Sequence, residues 1–490
     1  MKQLTVYILL LSFWICVLPP AHAQPEFDWM QTYGGEDTDD FSSVIQTRNG
    51  GFALAGETMS FDVDDYNVYL VKTDEEGAET WSRTYDIGYY DNCLSLIQTG
   101  DDGFALAGYT REQDEGSSFF ILKTDVEGEE QWRRTFSRAY WNECYSVDQT
   151  PDGGFVFAGF TSTEDYTAAN YYVVKVDSAG ELVWENTYGG AEMEFCMSLV
   201  PTGQGAFMAA GYVVSEDSLG ASCNFYLVKI AGNGRQIWSR TFETDTWDLC
   251  LSITHATNGG YALAGFTNFG QRMDIRLIRI NDYADHCDLV WEGGYGGVQS
   301  DICNAIVNTP DGGFVLAGST NSSGAGSDDF FIVRTDDAGE EQWRRTFGGN
   351  QNDRCFSIIG TPDRGYALAG YTESFGAGGA DGWLVKTGFD PVSAPVMTNP
   401  SIPQGLALLP VHPNPFNSTA RIRYQVSQSC RVLLSLQDLT GRRIRTLTDG
   451  LINAGTHETV LNGNNLPNGI YFIVLDTESE NAVTMTQLAK

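Results

Sequence analysis

An acidic or amide residue returns through the sequence at intervals of 51 to 54 residues: Asp39, Asp91, Asn142, Glu194, Asp248, Asp301 and Asp353. Carboxylates gathered on one face favour a counterion, so such a ring could bind a divalent cation, Ca²⁺ being the candidate, or a positively charged ligand. The plainer task is structural, because Asp and Asn cap the backbone N–H groups of their own turns. A residue repeated in every unit serves the unit first, and capping is the expected role. Departures from the repeat are better candidates for function. Where four units carry Gly-Gly (Gly34-Gly35, Gly189-Gly190, Gly296-Gly297, Gly348-Gly349), the others carry Tyr89-Tyr90, Tyr140-Trp141, and Trp247 beside Asp248. Rings stack on sugar faces and carboxylates accept hydroxyl hydrogen bonds, so these loops could seat a glycan or a peptide. The alternative is that the rings only cover a channel mouth or a junction between units. Asp62, Asp64 and Asp65 offer Ca²⁺ ligands without an EF-hand loop, and a solvated acidic loop is the simpler reading.

Catalytic signatures are missing. Between residues 24 and 390 the histidines are His255 and His286, in different units, and no GxSxG, HExxH or phosphate-cradling loop occurs. Paired carboxylates for glycoside cleavage stay open as an alternative, because the acids are too numerous for spacing to single out a pair. No cofactor motif is present. Cysteine recurs in register at Cys93, Cys144, Cys196, Cys250, Cys303 and Cys355. Stacked sheets lie about 10 Å apart, beyond the roughly 7 Å Cα limit of a disulfide, so these are expected to be buried free thiols. Cys223 and Cys287 fall off the register and are expected on loops.

The elements that must position these residues follow from the repeat. Trp29, Trp81, Trp132, Trp184, Trp238, Trp291 and Trp343 set the period, and a glycine follows each by 27 residues (Gly56, Gly108, Gly159, Gly211, Gly265, Gly318, Gly370). An aromatic stands four residues before each glycine, and a basic residue closes the next β-like run. A period near 50 built from short alternating runs and PDGG-type turns predicts four antiparallel strands per unit, a propeller blade. The innermost strand carries Cys, then Ser or Ala two positions on, then an aliphatic residue. This pattern predicts small and large residues interdigitating between blades. The last copy lacks its Trp strand and the first begins with an orphan one over Phe27 to Tyr33. Joining them closes a seven-bladed, all-β propeller by an N-terminal strand and removes its open edges. The D-x-x-G-x-x-x-W hairpins (Asp125, Gly128, Trp132; Asp177, Gly180, Trp184) resemble the tryptophan-docking repeat of quinoprotein propellers and the Asp-box of sialidases. The quinoproteins' vicinal cysteine pair is not present, so the likeness implies blade packing.

Charge and the termini set the address. The 490 residues carry 29 Lys+Arg against 64 Asp+Glu, and residues 24–390 hold 58 of those acids and 21 of the bases. So anionic a surface argues against nucleic acid as a partner. Residues 1–23 read as a secretory signal peptide, with Lys2, an apolar run to Leu18 and Ala21-His22-Ala23 before the cut. No later stretch is long and apolar enough to be a transmembrane segment. Residues 24–390 form the propeller, 391–410 a Pro-rich linker, and 411–490 a set of short strands expected to build a small Ig-like β-sandwich. In that last segment His412 to Asn417 (HPNPFN), Asp438 to Leu447 (DLTGRRIRTL), Leu466 to Phe472 (LPNGIYF) and Lys490 resemble the type A C-terminal sorting domain of bacterial type IX secretion. The resemblance implies export through the periplasm to the outer surface or the medium, with the secretion machinery as partner of residues 411–490. The expected whole is a non-catalytic, secreted or surface-attached propeller that binds a glycan, a peptide or a surface protein. A polysaccharide-degrading enzyme and a purely structural surface protein are the alternatives.

Overall fold

The computed structural model describes residues 24–391, apart from 62, 64, 114, 204, 218–219 and 269–271. Beyond them it describes 407–408, 419–426, 430–437, 442–452, 455–463, 466–467, 469–477 and 481–488. The expected signal peptide, most of the linker, Asp62, Asp64, Lys490 and the whole of HPNPFN lie outside the described residues. The chain divides into two compact units, Met1–Pro395 and Val396–Lys490.

The first unit is an all-β propeller. Blade 3 shows the pattern: strand a is Trp141–Gln149, b is Phe155–Ser162, c is Ala169–Val176 and d is Leu182–Tyr188, paired antiparallel in that order. Equivalent sheets span 39–85, 90–136, 193–242, 247–295 and 301–347 as blades 1, 2, 4, 5 and 6. Strands a to c of blade 7 lie within 353–387, and its fourth strand is Phe27–Tyr33, which pairs with Asp381–Thr387 through Trp29↔Lys386 and Tyr33↔Gly382. Blades 1, 2, 6 and 7 are separate four-stranded sheets, and blades 3, 4 and 5 are joined into one twelve-stranded sheet. Single parallel pairs, Ala169↔Met193 and Cys223↔Trp247, join blades 3, 4 and 5 edge to edge.

Each repeated residue has a physical reason. Strand a carries a β-bulge between its Cys and Ser positions, as between Cys144 and Ser146. The bulge pushes the preceding carbonyl towards strand b, and a Cβ on Gly159 would sit on the Glu143 oxygen. The same close approach faces Gly56, Gly108, Gly211, Gly265, Gly318 and Gly370, which is why glycine holds this position. The thiols of Cys93, Cys144, Cys196, Cys250, Cys303 and Cys355 are free and fully buried, and burial pushes the Cys93, Cys144 and Cys303 groups up to about 12. They behave as small hydrophobes. Cys223 and Cys287 are also free and buried, but they sit on strands Gly220–Ile230 and Cys287–Tyr295 and not on the loops expected from sequence. Their blades have strands long enough to absorb what reads as loop.

The serines do more than fill space. Ser95 Oγ accepts the Val147 N–H at 3.2 Å, Ser146 accepts from Leu199 at 3.1 Å, and Ser198 from Ile253 at 3.4 Å. Each is a bond to the next blade. The d-strand Trp reaches across the same junction. A Cβ on Gly128 or Gly180 would meet the Trp81 or Trp132 ring of the preceding blade, and those glycines lie at φ 81° and 79°. Only glycine leaves the turn both room and that backbone conformation. Tyr33, Tyr85, Tyr188 and Tyr295 complete the seam by donating to the carbonyl of the same turn glycine, at 2.6–2.7 Å.

The second unit has a sheet of Thr419–Val426 between Ala407–Leu408 and Gly455–Asn462. A second sheet runs Arg443–Ile452, Cys430–Gln437, Gly469–Asp476 and Asn481–Leu488. Ile422, Tyr424, Val432, Leu434, Leu461 and Ile473, from both sheets, share one buried cluster, as a small β-sandwich requires.

Candidate functional site

The repeated acids are buried within the blades. Asp39, Asp91, Asn142, Asp248, Asp301 and Asp353 have no exposed surface and Glu194 is also buried. Each is the first or second residue of its strand a. Each takes a backbone N–H four residues back: Gly35 to Asp39 at 2.8 Å, Ile87 to Asp91 at 2.6 Å, Arg138 to Asn142 at 3.0 Å, Gly190 to Glu194 at 2.7 Å, Gly297 to Asp301 at 2.6 Å and Gly349 to Asp353 at 2.7 Å. A strand b threonine donates to Asp39, Asn142, Asp301 and Asp353 (Thr58, Thr161, Thr320, Thr372). This is the geometry of a turn cap. Asp248 differs, taking Thr244 and Thr246 hydroxyls and an ion pair from buried Arg276 at 2.7 Å. Burial pushes Asp91 up to about 6 and Glu194 up to about 7. Among the described residues no three His, Cys, Asp or Glu side chains are placed to share a metal ion.

The aromatic departures stand beside these caps. Tyr90, Trp141 and Trp247 open strand a of blades 2, 3 and 5, while Tyr89 and Tyr140 stay in the loops. Blade 4 has Met193 at the same position, a residue the sequence reading passed over because it is neither aromatic nor charged. The register of Tyr90, Trp141, Met193 and Trp247 therefore places four large side chains on consecutive blades. Thr38, Ser300 and Asn352 occupy the equivalent place on blades 1, 6 and 7. Tyr89 is 54% and Trp247 42% exposed. Trp141 stacks on exposed Tyr166 with centroids 5.9 Å apart and meets Tyr140 edge-on at 5.0 Å. Indole donors fix both tryptophans, Trp141 to the Glu164 carbonyl and Trp247 to the Ala221 carbonyl, each at 3.1 Å.

Arg111 links Tyr90 to Trp141. Its guanidinium lies 5.4, 5.0 and 5.0 Å from the ring centres of Tyr90, Tyr109 and Trp141 and pairs with Glu143 at 3.1 Å. A groove of about 630 Å³ opens beside it, lined by Thr110, Glu112, Gly116, Arg133, Arg134 and Tyr140 among others. The predicted residues thus fall into a contiguous cluster of Tyr90, Tyr140 and Trp141, with Trp247 two blades away from Trp141. Nothing in the spacing of the repeat pointed to Arg111, Tyr109 or Tyr166, which come from strand b and the b–c loop and meet the arc only in the fold.

No curated protein matches the sequence. Solved structures similar to it include Sqt1 from Chaetomium thermophilum, at 13% identity and TM-score 0.41, covering 70% of this chain and 83% of that one. A Dyadobacter fermentans protein of unknown function shares 11% identity at TM-score 0.40, over 76% of this chain and 100% of that one. The β-propeller domain of the Trilobed protease from Pyrococcus furiosus shares 10% at TM-score 0.38, over 74% and 100%. Likeness at this level bears on neither ligand nor activity. No helix among the described residues is long and apolar enough to cross a membrane. Residues 410–488 match the family described as the secretion system C-terminal sorting domain, so the chain carries a type IX sorting domain, which directs it to the cell surface or beyond and implies contact with that secretion machinery.

Proposed function

We propose that the propeller is a displayed, non-catalytic binding module whose ligand, a glycan or peptide chain, lies along the arc from Tyr90 to Trp247. The observation that carries this reading is the departure itself. One register position is large and apolar on four consecutive blades and small or polar on the other three, although the fold makes the same demand of all seven. Rings already fixed by hydrogen bonds lose little freedom when a ligand stacks on them, which favours binding. The caps on Asp39, Asp91, Asp301 and Asp353 serve the turns beneath. In this reading residues 24–390 are the cargo, 391–410 the linker and 411–490 the export signal. Probing the purified secreted protein against glycan and peptide arrays, with a reducing-sugar assay alongside, tests it. Retention without sugar release supports a binding module, release supports the polysaccharide-degrading alternative, and neither result leaves a structural surface protein.

A further inference from the structure

The residue after each repeated glycine carries an aromatic ring on five blades: Tyr109, Phe160, Tyr212, Phe266 and Tyr371. Glu57, opposite Asp40, takes that place on blade 1, and Ser319 takes it on blade 6. On blades 3 and 7 the ring packs on the bulged residue of its own strand a. Phe160 meets Tyr145 and Tyr371 meets Phe356, with centroids 6.2 and 5.9 Å apart. On blade 6 the bulged residue is Asn304 and its counterpart is Ser319. A cavity of about 430 Å³ opens there, lined by these two residues together with Asn321 and Asp328 of the same blade and Arg354 and Phe356 of blade 7. The Ser319 hydroxyl is buried without a partner, so the serine serves no hydrogen bond of the fold. Its effect is to leave open the space that a ring would fill.

The walls are polar and balanced in charge. Arg354 Nε donates to Asp328 Oδ2 at 2.7 Å, and Nη2 lies 2.7 Å from the same oxygen. Asn321 Oδ1 accepts the Ser300 N–H at 2.9 Å and Asn304 Nδ2 donates to the Cys355 carbonyl at 2.7 Å, so both amides are anchored. Among the described residues nothing accepts from Asn321 Nδ2 or Arg354 Nη1, and nothing donates to Asn304 Oδ1 or Asp328 Oδ1. These groups are within reach of a ligand, since Asn304, Asn321 and Asp328 are half-buried and Arg354 is exposed.

We propose that this cavity is a binding site for one neutral sugar ring, separate from the aromatic arc. A sugar hydroxyl both donates and accepts, and the walls supply N–H donors and oxygen acceptors together. Phe356 and Ile302, which also lines the cavity, give the apolar patch that the C–H face of such a ring covers. The volume falls within the roughly 300–1,000 Å³ of small-molecule sites. Charge selects the class. Arg354 is already paired with Asp328, so a carboxylate or an ammonium finds no unpaired counter-charge there. Ser300, another lining residue, holds the arc's register position on blade 6, so both sites open on one face of the propeller. The cavity shares none of the arc's four large side chains and does not rest on the reading of the arc.

Saturation-transfer NMR titration of the whole secreted protein with the methyl glycosides of glucose, galactose and mannose tests this, against glucuronate, glucosamine and the tripeptide Gly-Gln-Gly. Saturable binding of at least one hexoside is expected, weakened at least tenfold in S319Y and in R354Q and unchanged in W141A. S319Y installs the ring that Tyr109, Tyr212 and Tyr371 carry on other blades, and R354Q changes a side chain that is 49% exposed, so both should keep the melting temperature. Should S319Y fail to fold, R354Q decides alone. No binding of any hexoside, undiminished binding in either folded variant, or equal or tighter binding of glucuronate, glucosamine or the tripeptide would each overturn the assignment. Hexoside binding lost in W141A but kept in S319Y would move the sugar to the arc and remove this site. Hexoside binding that survives W141A, when the array ligand survives it too, would remove the arc and leave this site standing.

Discussion

Ser357 Oγ accepts a hydrogen bond from the Val44 N–H at 3.2 Å, joining blades 7 and 1 across 313 residues of chain. It is the same bond that Ser43 makes to Leu96 and Ser252 makes to Ile306, at 3.2 and 3.3 Å. The circuit of serine-to-backbone bonds closes the ring as firmly at the terminal seam as anywhere else. One junction lacks its serine, because Ala305 stands there, and Asn304 Nδ2 donates instead to the Cys355 carbonyl at 2.7 Å.

Ala305→Ser should therefore stabilise the propeller and Ser95→Ala destabilise it, each by about 1 kcal/mol, the net worth of one such bond. Denaturant unfolding of the two variants measures both signs. A destabilising Ala305→Ser would mean that the Asn304 bond has taken over the space.

Gly159→Ala should cost on the order of 3 kcal/mol, since its Cβ would sit on the Glu143 carbonyl that the strand a bulge pushes forward. Gly203→Ala, with nothing within 4 Å of the added Cβ, is the control and should be close to neutral. Thermal melts of the pair separate steric demand from general glycine effects.

Stability should fall as pH rises from 5 to 8. Asp91, Glu194 and Asp329 have folded values raised to about 6, 7 and 6, chiefly by burial, so the stability they contribute is complete below the unfolded carboxyl range and is lost as pH climbs through those values. Asp152, lowered to about 2 by its hydrogen bonds from Lys175 and Thr150, works the other way and is lost only as pH falls towards 2. Melting temperature against pH should peak near pH 4 to 5 and decline by several degrees at pH 8. A flat profile between 5 and 8 would contradict the buried caps.

W141A and W247A should abolish retention of whatever ligand the arrays identify. W247A should lower the melting temperature only slightly, because its exposed indole makes one hydrogen bond, and W141A should lower it more, because its ring also contacts Tyr140, Tyr166 and Arg111. Retained binding in the double variant would remove the arc as the site.

Deleting residues 411–490 should leave the protein in the periplasm, read by fractionation and surface protease accessibility. Normal display after deletion would contradict the assignment of that segment as the export signal.

The repeat made the fold legible because every blade solves the same problem with the same residues. Trp29 and the glycine 27 positions on, the PDGG turn and the orphan first strand are local features, and each reports a strand, a hairpin or an edge without knowledge of its neighbours. The sorting domain was legible for the same reason, through LPNGIYF and the DLTGRR hairpin. Local reading was weaker wherever a role depends on the adjoining blade. The serine that looked like a small packing residue is a hydrogen-bond acceptor for the next blade, and Met193 joins the arc only because its strand a position on blade 4 falls between those of Trp141 and Trp247. Sequence alone thus determined the propeller, its acidity and its address, since periodicity, charge and short motifs survive in one dimension. The tertiary structure decided that the repeated carboxylates are buried and that all but Asp248 accept a backbone N–H of their own turn, that Arg111 is held between three rings, and that Asp40 confronts Glu57. Those relationships depend on cross-strand register and on the contact between neighbouring blades, which bring together residues that spacing along the chain keeps apart.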